Sequence, residues 1–220
     1  MALPPDAELF PSIRSGLYTA VVGDVLDRMG HLTHFLPPRI RPIDPSMVVV
    51  GRAMPVVAEQ ARGTLEDPFG KLLEALDALR EDEVWIADGG SAPFALWGEL
   101  MSTRARHLKA AGAVMNGHHR DTAGILSLGF PTFSWGGYSL DFAFRARVID
   151  WRVPVEIEGV PVRPGDLIFG DRDGVLVVAR ELEEEALTKA FEKVRAENQV
   201  REGFRKGMPA VEAFARYGAM

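Results

Sequence analysis

A chain of 220 residues with 47% hydrophobic content can bury one substantial core, as a single domain or as one domain with helical extensions. Its formal net charge of -6 argues against nucleic acid as a primary ligand, because phosphate binding needs a basic face. The absence of cysteine excludes disulfides and thiolate metal sites and suits a reducing compartment. The first residues, MALPPDAELFPSIRSG, have neither a basic start nor an apolar signal core, and no run of about 18 apolar residues occurs. The expectation is a soluble, cytoplasmic protein with no membrane and no nucleic acid among its partners.

From Asp6 to about Met29 the pattern is helical, interrupted near Ser15-Gly16, with Val21, Val22, Val25, Leu26 and Met29 on one stripe and Gly30 as the stop. A proline-rich loop, HLTHFLPPRIRPIDP, follows. His31 and His34 have ligand-like spacing but no third ligand, and read as loop residues. Met47 to Glu59 predicts a strand bulged or bent at Gly51. Pro68 to Leu79, with Phe69, Leu72, Leu73, Leu76 and Leu79, predicts a helix whose apolar face covers a sheet. Glu83 to Ala87 reads as a buried strand after a helical crossover, and helix and strand alternate through Phe133, which marks an α/β chain. After Trp135 the texture is β-rich. Ala146 to Glu156 alternates, Glu158-Gly159 is a hairpin turn, and strands at 167–169 and 175–178 flank a turn at Asp171-Arg172-Asp173-Gly174. That turn lacks the rest of an EF-hand loop. From about Glu181 to Lys206 runs a long helix, acidic in its first turn and basic in its last.

Trp97 to Asp121, WGELMSTRARHLKAAGAVMNGHHRD, concentrates the chemistry. The turn Asp88-Gly89-Gly90 precedes it, Gly98 opens a helix, and Gly112 is the expected helix stop after Arg104, Arg106 and Lys109. Ala113 to Asn116 reads as a short strand that leaves through Gly117 into His118-His119-Arg120-Asp121. Glu99 therefore starts a helix, and Arg120 and Asp121 end a strand. A helix start offers free N–H groups and partial positive charge to a substrate carboxylate. Glu99 and Asp121 can give oxygen ligands to Mg2+, which needs only one or two carboxylates, and Arg120 is a fork-shaped fixed cation. Together these suit a 2-keto acid.

On the terminal helix, at about 100° per residue, Glu197 falls roughly 20° from Ala190, inside the apolar stripe. A buried carboxylate needs a partner, and Glu197 could reach a metal site across a subunit interface. Other readings stay open. Asp121 could N-cap a short helix toward Leu128, Glu99 could serve the helix dipole, and Arg120 and Glu197 could be structural ion-pair partners. His118 and His119, neighbours on extended backbone, point to opposite sides, so at most one faces the site.

The stretches GDVLDRMG at 23–30, VVGRAMPV at 49–56, WGEL at 97–100, RD at 120–121 and GVPVRPGDLIFGDRDGVLVV at 159–178 together resemble the RraA-like family. That family includes the class II 4-hydroxy-4-methyl-2-oxoglutarate / 4-carboxy-4-hydroxy-2-oxoadipate aldolases and the RraA regulators of ribonuclease E. The resemblance implies a β/β/α swivelling-type α/β fold, one domain over 1–220, with an N-terminal helical segment at 1–30 and a C-terminal helix at 181–206 docking on a neighbouring subunit of a homotrimer or homohexamer. It implies Mg2+, Mn2+ or another divalent cation on Asp121, with Glu99 and a neighbour's Glu197 as further acids. Arg120 would stabilise an enolate, and Gly98, Leu100 and Met101 would hold the pyruvyl carboxylate. The chain departs from the family pattern at His118-His119. The implied activity is a carbon–carbon lyase releasing pyruvate from 4-hydroxy-2-oxo diacids, with oxaloacetate decarboxylation alongside. Neither WGEL nor RD supplies a lysine for a Schiff base. The alternative is a non-catalytic ribonuclease regulator.

Overall fold

The structure, a computed structural model, describes residues 3–60, 64, 66–89 and 93–218. In chain order these form α1 (Asp6–Gly16), α2 (Thr19–Arg28), β1 (Arg41–Pro42), β2 (Val49–Gln60), α3 (Leu72–Asp77), β3 (Glu83–Asp88), β4 (Ala95–Trp97) and α4 (Glu99–His107). There follow β5 (Gly112–Asn116), β6 (His118–His119), α5 (Thr122–Leu128), β7 (Thr132–Ser134), β8 (Ala146–Trp151), β9 (Val155–Ile157) and β10 (Val160–Val162). The chain ends with β11 (Leu167–Asp171), β12 (Gly174–Val178), α6 (Glu183–Arg205) and α7 (Ala210–Tyr217). Two compact units result, Thr33–Arg180 and the paired termini, Met1–Leu32 with Glu181–Met220. No helix among the described residues is long and apolar enough to cross a membrane.

The central unit is the mixed α/β body that the alternating sequence predicts. Strands β2, β3, β5 and β7 lie side by side and parallel, each pair joined by a crossover through α3, α4 or α5, as parallel pairing requires. Antiparallel β1 extends one side of this group and antiparallel β11 and β12 the other. Because β2 is long, its first half pairs with β11 and its last with β8 on the same edge. The sheet curls toward closure: Arg41 on β1 donates to the Asp173 carbonyl in the β11–β12 turn, giving a near-closed, barrel-like sheet.

Both faces are buried, which is why these strands read as continuous apolar runs rather than alternations. Met54, Trp85 and Met115 face one core beneath Leu72, Leu76, Ala105 and Ile125 of the crossover helices. Ala53, Val84, Ile86 and Val114 face another, closed by Ile157, Val160 and Val162 of the β9–β10 hairpin. That hairpin turns at Glu158 and Gly159, with φ of 49° and 88°, the left-handed pair a tight turn favours. The β11–β12 turn is a plain hairpin, with Asp171 paired to Gly174.

Three expectations need correction. Strand β2 runs unbroken through Gly51, and its irregularity against β8 falls at Val57/Ala58. Gly51 is needed because a Cβ there would run into the Asp82 carbonyl and lie 2.8 Å from the Ala111 Cβ. The helix expected over 68–79 is only α3, and Leu73 on it stays 58% exposed. Gly112 is not the stop of α4: the left-handed residue after that helix is Lys109, φ 60°, and Gly112 opens β5, where a Cβ would sit 2.7 Å from the Pro131 carbonyl. Of the expected turn Asp88-Gly89-Gly90, Gly90 lies outside the described residues.

In the terminal unit, α1 and α2 break near Gly16 as predicted, α2 lies against α6, and α6 against the unforeseen α7. Val200 and Ala213 are the buried centre of the α6–α7 contact.

Gly51→Ala should lower unfolding free energy by about 1–3 kcal/mol, the usual cost of forcing an atom into a filled space. Denaturant titration checks this, and unchanged stability would mean that β2 and the Asp82 turn can separate freely.

Candidate active site

The site lies where two short parallel strands end together. Ala95 pairs with His118 and Trp97 with His119, and the Arg120 N–H donates to the Trp97 carbonyl at 2.9 Å. The chain therefore leaves β4 into α4 and β6 into α5 at adjacent points, bringing Gly98 to Arg120-Asp121. The Trp97 indole N–H donates to Ser102 Oγ at 2.7 Å, and that hydroxyl donates to the Gly98 carbonyl at 3.0 Å, pinning the first turn of α4 to the core. A Cβ on Gly98 would lie 2.7 Å from Asp121 Oδ2, so only glycine lets the carboxylate approach.

Asp121 stands at the N-cap of α5 but makes no side-chain cap bond, and its backbone is left-handed, φ 58° and ψ 37°. Its Oδ2 instead accepts the Glu99 N–H of α4 at 3.3 Å and sits 3.7 Å from Arg120 Nε. The capping alternative thus fails at the side chain. A non-glycine residue in this region costs about 1–3 kcal/mol and persists where the surroundings impose it, often at functional sites. Arg120 Nη1 also reaches Asp141 Oδ1 at 3.2 Å. Asp141 was not found by sequence reading, since it lies in the irregular stretch before β8 with no motif around it.

These groups open onto a cavity of about 250 Å³. Gly98, Leu100, Met101, Arg120, Asp121 and Asp141 are among its lining residues, and helix geometry leaves the Leu100 and Met101 N–H groups without an intrahelical acceptor. Glu99 does not line it. Its carboxylate accepts the Thr103 hydroxyl at 2.8 Å, and its stem fills the space left by Gly124 on α5.

A divalent cation fits this donor set only in one manner. Among the described residues no group of three or more His, Asp or Glu is placed to hold a metal. Asp121 nonetheless offers a carboxylate to the cavity, which suits Mg2+, an ion that keeps most of its waters and takes one or two carboxylates.

The family model described as Aldolase/RraA matches residues 19–177. The chain belongs to the RraA-like family. This RraA-like chain is 34% identical over 184 residues to a protein of Halalkalibacterium halodurans named "Putative 4-hydroxy-4-methyl-2-oxoglutarate aldolase", covering 84% of this chain and 82% of that one. It is similar to Streptomyces coelicolor RraAS2, described as an unusual member of the RNase ES inhibitor RraA protein family, with 26% identity, TM-score 0.79 and coverage of 91% and 99%. It shares the fold of an uncharacterized Pseudomonas syringae protein at TM-score 0.82 and 24% identity, covering 96% of this chain and 99% of that one.

Elsewhere in the RraA-like chain, Glu197 has partners within the terminal unit. Tyr18 and Lys193 both donate to its carboxylate, and Lys193 also donates to Asp24 at 2.8 Å. Burial works to raise the Glu197 carboxyl, but the bonds from Lys193 and Tyr18 outweigh it and hold the group below its usual value. The partner that a buried carboxylate needs is therefore supplied in its own chain. Neither histidine lines the cavity. His118 packs against the rings of Trp135 and Tyr138 with Nδ1 3.2 Å from the Gly136 carbonyl. His119 is buried between the hydroxyls of Ser134 and Thr122, at 2.7 and 2.8 Å.

Burial and the neighbouring His118 depress the His119 imidazole below its usual value, so the folded state keeps the neutral ring to lower pH than the unfolded chain does. The unfolded state then binds more protons below about pH 6.5, and stability present above that pH is lost as pH falls toward the folded-state value. His119→Gln should flatten this loss in denaturant titrations between about pH 7 and pH 5. A pH slope identical to the parent's would show that the ring is not shielded.

Proposed function

We propose that this chain is a divalent-metal-dependent carbon–carbon lyase that releases pyruvate from 4-hydroxy-2-oxo acids, diacids and oxaloacetate being candidate substrates. The observation that carries the reading is Asp121. A strained carboxylate, held by the first N–H of α4 and flanked by Arg120, opens onto a cavity and serves no cap. The relative named as an aldolase, matched over most of both chains, supports the same reading.

In this reading Asp121 would hold the cation, waters completing its shell, and the cation would draw electron density from the 2-oxo group. The Leu100 and Met101 N–H groups donate to the substrate's C1 carboxylate at the positive end of α4. As the C3–C4 bond breaks, its electron pair moves into the pyruvyl half and the 4-hydroxyl gives up its proton to become the carbonyl of the departing half. Arg120 lies where the resulting negative charge on the 2-oxo oxygen collects, and preorganised donors of this kind commonly supply a large share of rate enhancement. Proton return to C3 then gives pyruvate. With oxaloacetate the same bond breaks and CO2 departs. Asp141 keeps the guanidinium aimed.

A coupled pyruvate-release assay should detect turnover with Mg2+ or Mn2+ and none after chelation. Asp121→Asn should abolish it while leaving the fold intact, and Arg120→Lys, which keeps charge but loses the fork, should lower kcat at least tenfold, about 1.4 kcal/mol. Metal-independent pyruvate release would overturn the assignment. No release from any 4-hydroxy-2-oxo acid or oxaloacetate would favour the ribonuclease-regulator alternative, which the likeness to the Streptomyces protein motivates.

The reading extends to the assembly, a trimer or pair of trimers in which Glu197 of one copy completes the acid set of another, with Tyr18 and Lys193 fixing its carboxylate. Dissociating and reassociating a mixture of Asp121→Asn and Glu197→Gln proteins should then restore part of the activity. Hybrids that contain both subunits and stay inactive would remove Glu197 from the site.

A further inference from the structure

The charged residues of the cavity are clustered, Arg120 lying against both Asp121 and Asp141, with Gly98 beside Asp121. The rest of the lining is largely Phe69, Leu72, Leu73, Leu76, Leu96 and Phe142. Among the described lining residues Arg120 is the sole cation, and its fork is already engaged by Asp121 and Asp141. The backbone donors at the start of α4 are where the C1 carboxylate is to bind, and six-residue α3, whose Leu72 and Leu73 also line the cavity, brings no charged side chain to it. A second carboxylate carried against the apolar residues would lose its water and, among the described lining residues, meet no cation besides Arg120, which is unfavourable. A hydrocarbon arm there would instead be favoured by the apolar area it buries.

We infer that the substrate's departing half is apolar: the cavity takes 4-hydroxy-2-oxo acids with an alkyl or aryl arm on C4 in preference to diacids. The inference rests on the lyase reading for the pyruvyl half and narrows it at the other. The apolar residues and the charged cluster line one cavity of about 250 Å³, near the small end of the range for ligand pockets, so its occupant is a short arm of the same small molecule. Leu73 carries the specificity as an exposed side chain at the rim.

Two matched pairs test this. The six-carbon ligands 2-oxohexanoate and 2-oxoadipate lack the 4-hydroxyl and cannot be cleaved, so their Mg2+-dependent binding can be read by calorimetry or by the fluorescence of Trp97 in the cavity wall. Their 4-hydroxy counterparts report cleavage through pyruvate. The alkyl member should bind at least tenfold more tightly and be cleaved with at least tenfold higher kcat/KM. Leu73→Arg, which alters a surface position and spares the core, should narrow or reverse both ratios. Equal or better use of the diacid would overturn the inference and leave the lyase reading standing, and so would a wall covered by a second copy, which would give the alkyl arm no advantage. Alkyl-selective binding without pyruvate from either substrate would sink the lyase reading and keep the pocket assignment. Absence of binding by both ligands would end both.

Discussion

The approach of Asp121 to the start of α4 is the contact on which the charged cluster of the cavity depends. It requires Gly98, because any Cβ would stand 2.7 Å from the carboxylate oxygen. It also requires Asp121 to hold a left-handed backbone, a conformation aspartate tolerates better than most residues but still at a cost. That cost is met by the register of β4 against β6, by the Glu99 N–H bond to Oδ2, and by Arg120 alongside. The parallel sheet supplies the rigid base, since β4 and β6 follow the ends of β3 and β5. Ligand sites of open parallel sheets form at this carboxyl end of the strands.

Local signals in the sequence sufficed for elements whose cause is local. The runs at β3 and β5 are apolar throughout because both faces are covered, and Glu158-Gly159 declares its turn through its own backbone preference. Arg120-Asp121 could be placed at a strand end from the residues around it. Gly51 and Gly112 were read as punctuation, as glycines usually invite, yet neither has a positive φ. Their cause is the closeness of the Asp82 and Pro131 carbonyls, which only the assembled sheet brings near. Asp141 escaped notice for a similar reason: nothing beside it in sequence marks it, and its meaning comes from Arg120.

Glu197 illustrates the same boundary. Helical periodicity placed it on a buried stripe and demanded a partner. Periodicity could not say that Lys193, one turn earlier on the same helix, and Tyr18, in the turn before α2, would answer. Burial alone would push the Lys193 ammonium down, but its bonds to Asp24 and Glu197 prevail and hold it above its usual value. Both members therefore stay charged near neutrality. Removing Glu197 would leave Lys193 bonded to Asp24, whereas removing Lys193 would leave Glu197 the Tyr18 hydroxyl but no ammonium, the costlier loss for a largely buried carboxylate.

Charge balance at the active site bears on what can enter it. Arg120 brings one positive charge, and Asp121 and Asp141 bring two negative, so the charged cluster by itself repels an anion. A divalent cation on Asp121 would leave one net positive charge, with a further partial charge of about one half from the start of α4; a neighbour's Glu197 would arrive paired with Lys193 and change that sum little. On the proposed reading a single substrate carboxylate would meet that charge, and the developing enolate charge would be shared by the cation and Arg120. Among the described lining residues no further cation would remain for a second carboxylate, the rest of the lining being largely leucine and phenylalanine. On the proposed reading, the need for a cation and the preference for a monoanion would share one origin, because Asp141 engages Arg120 and takes up charge that a diacid would need.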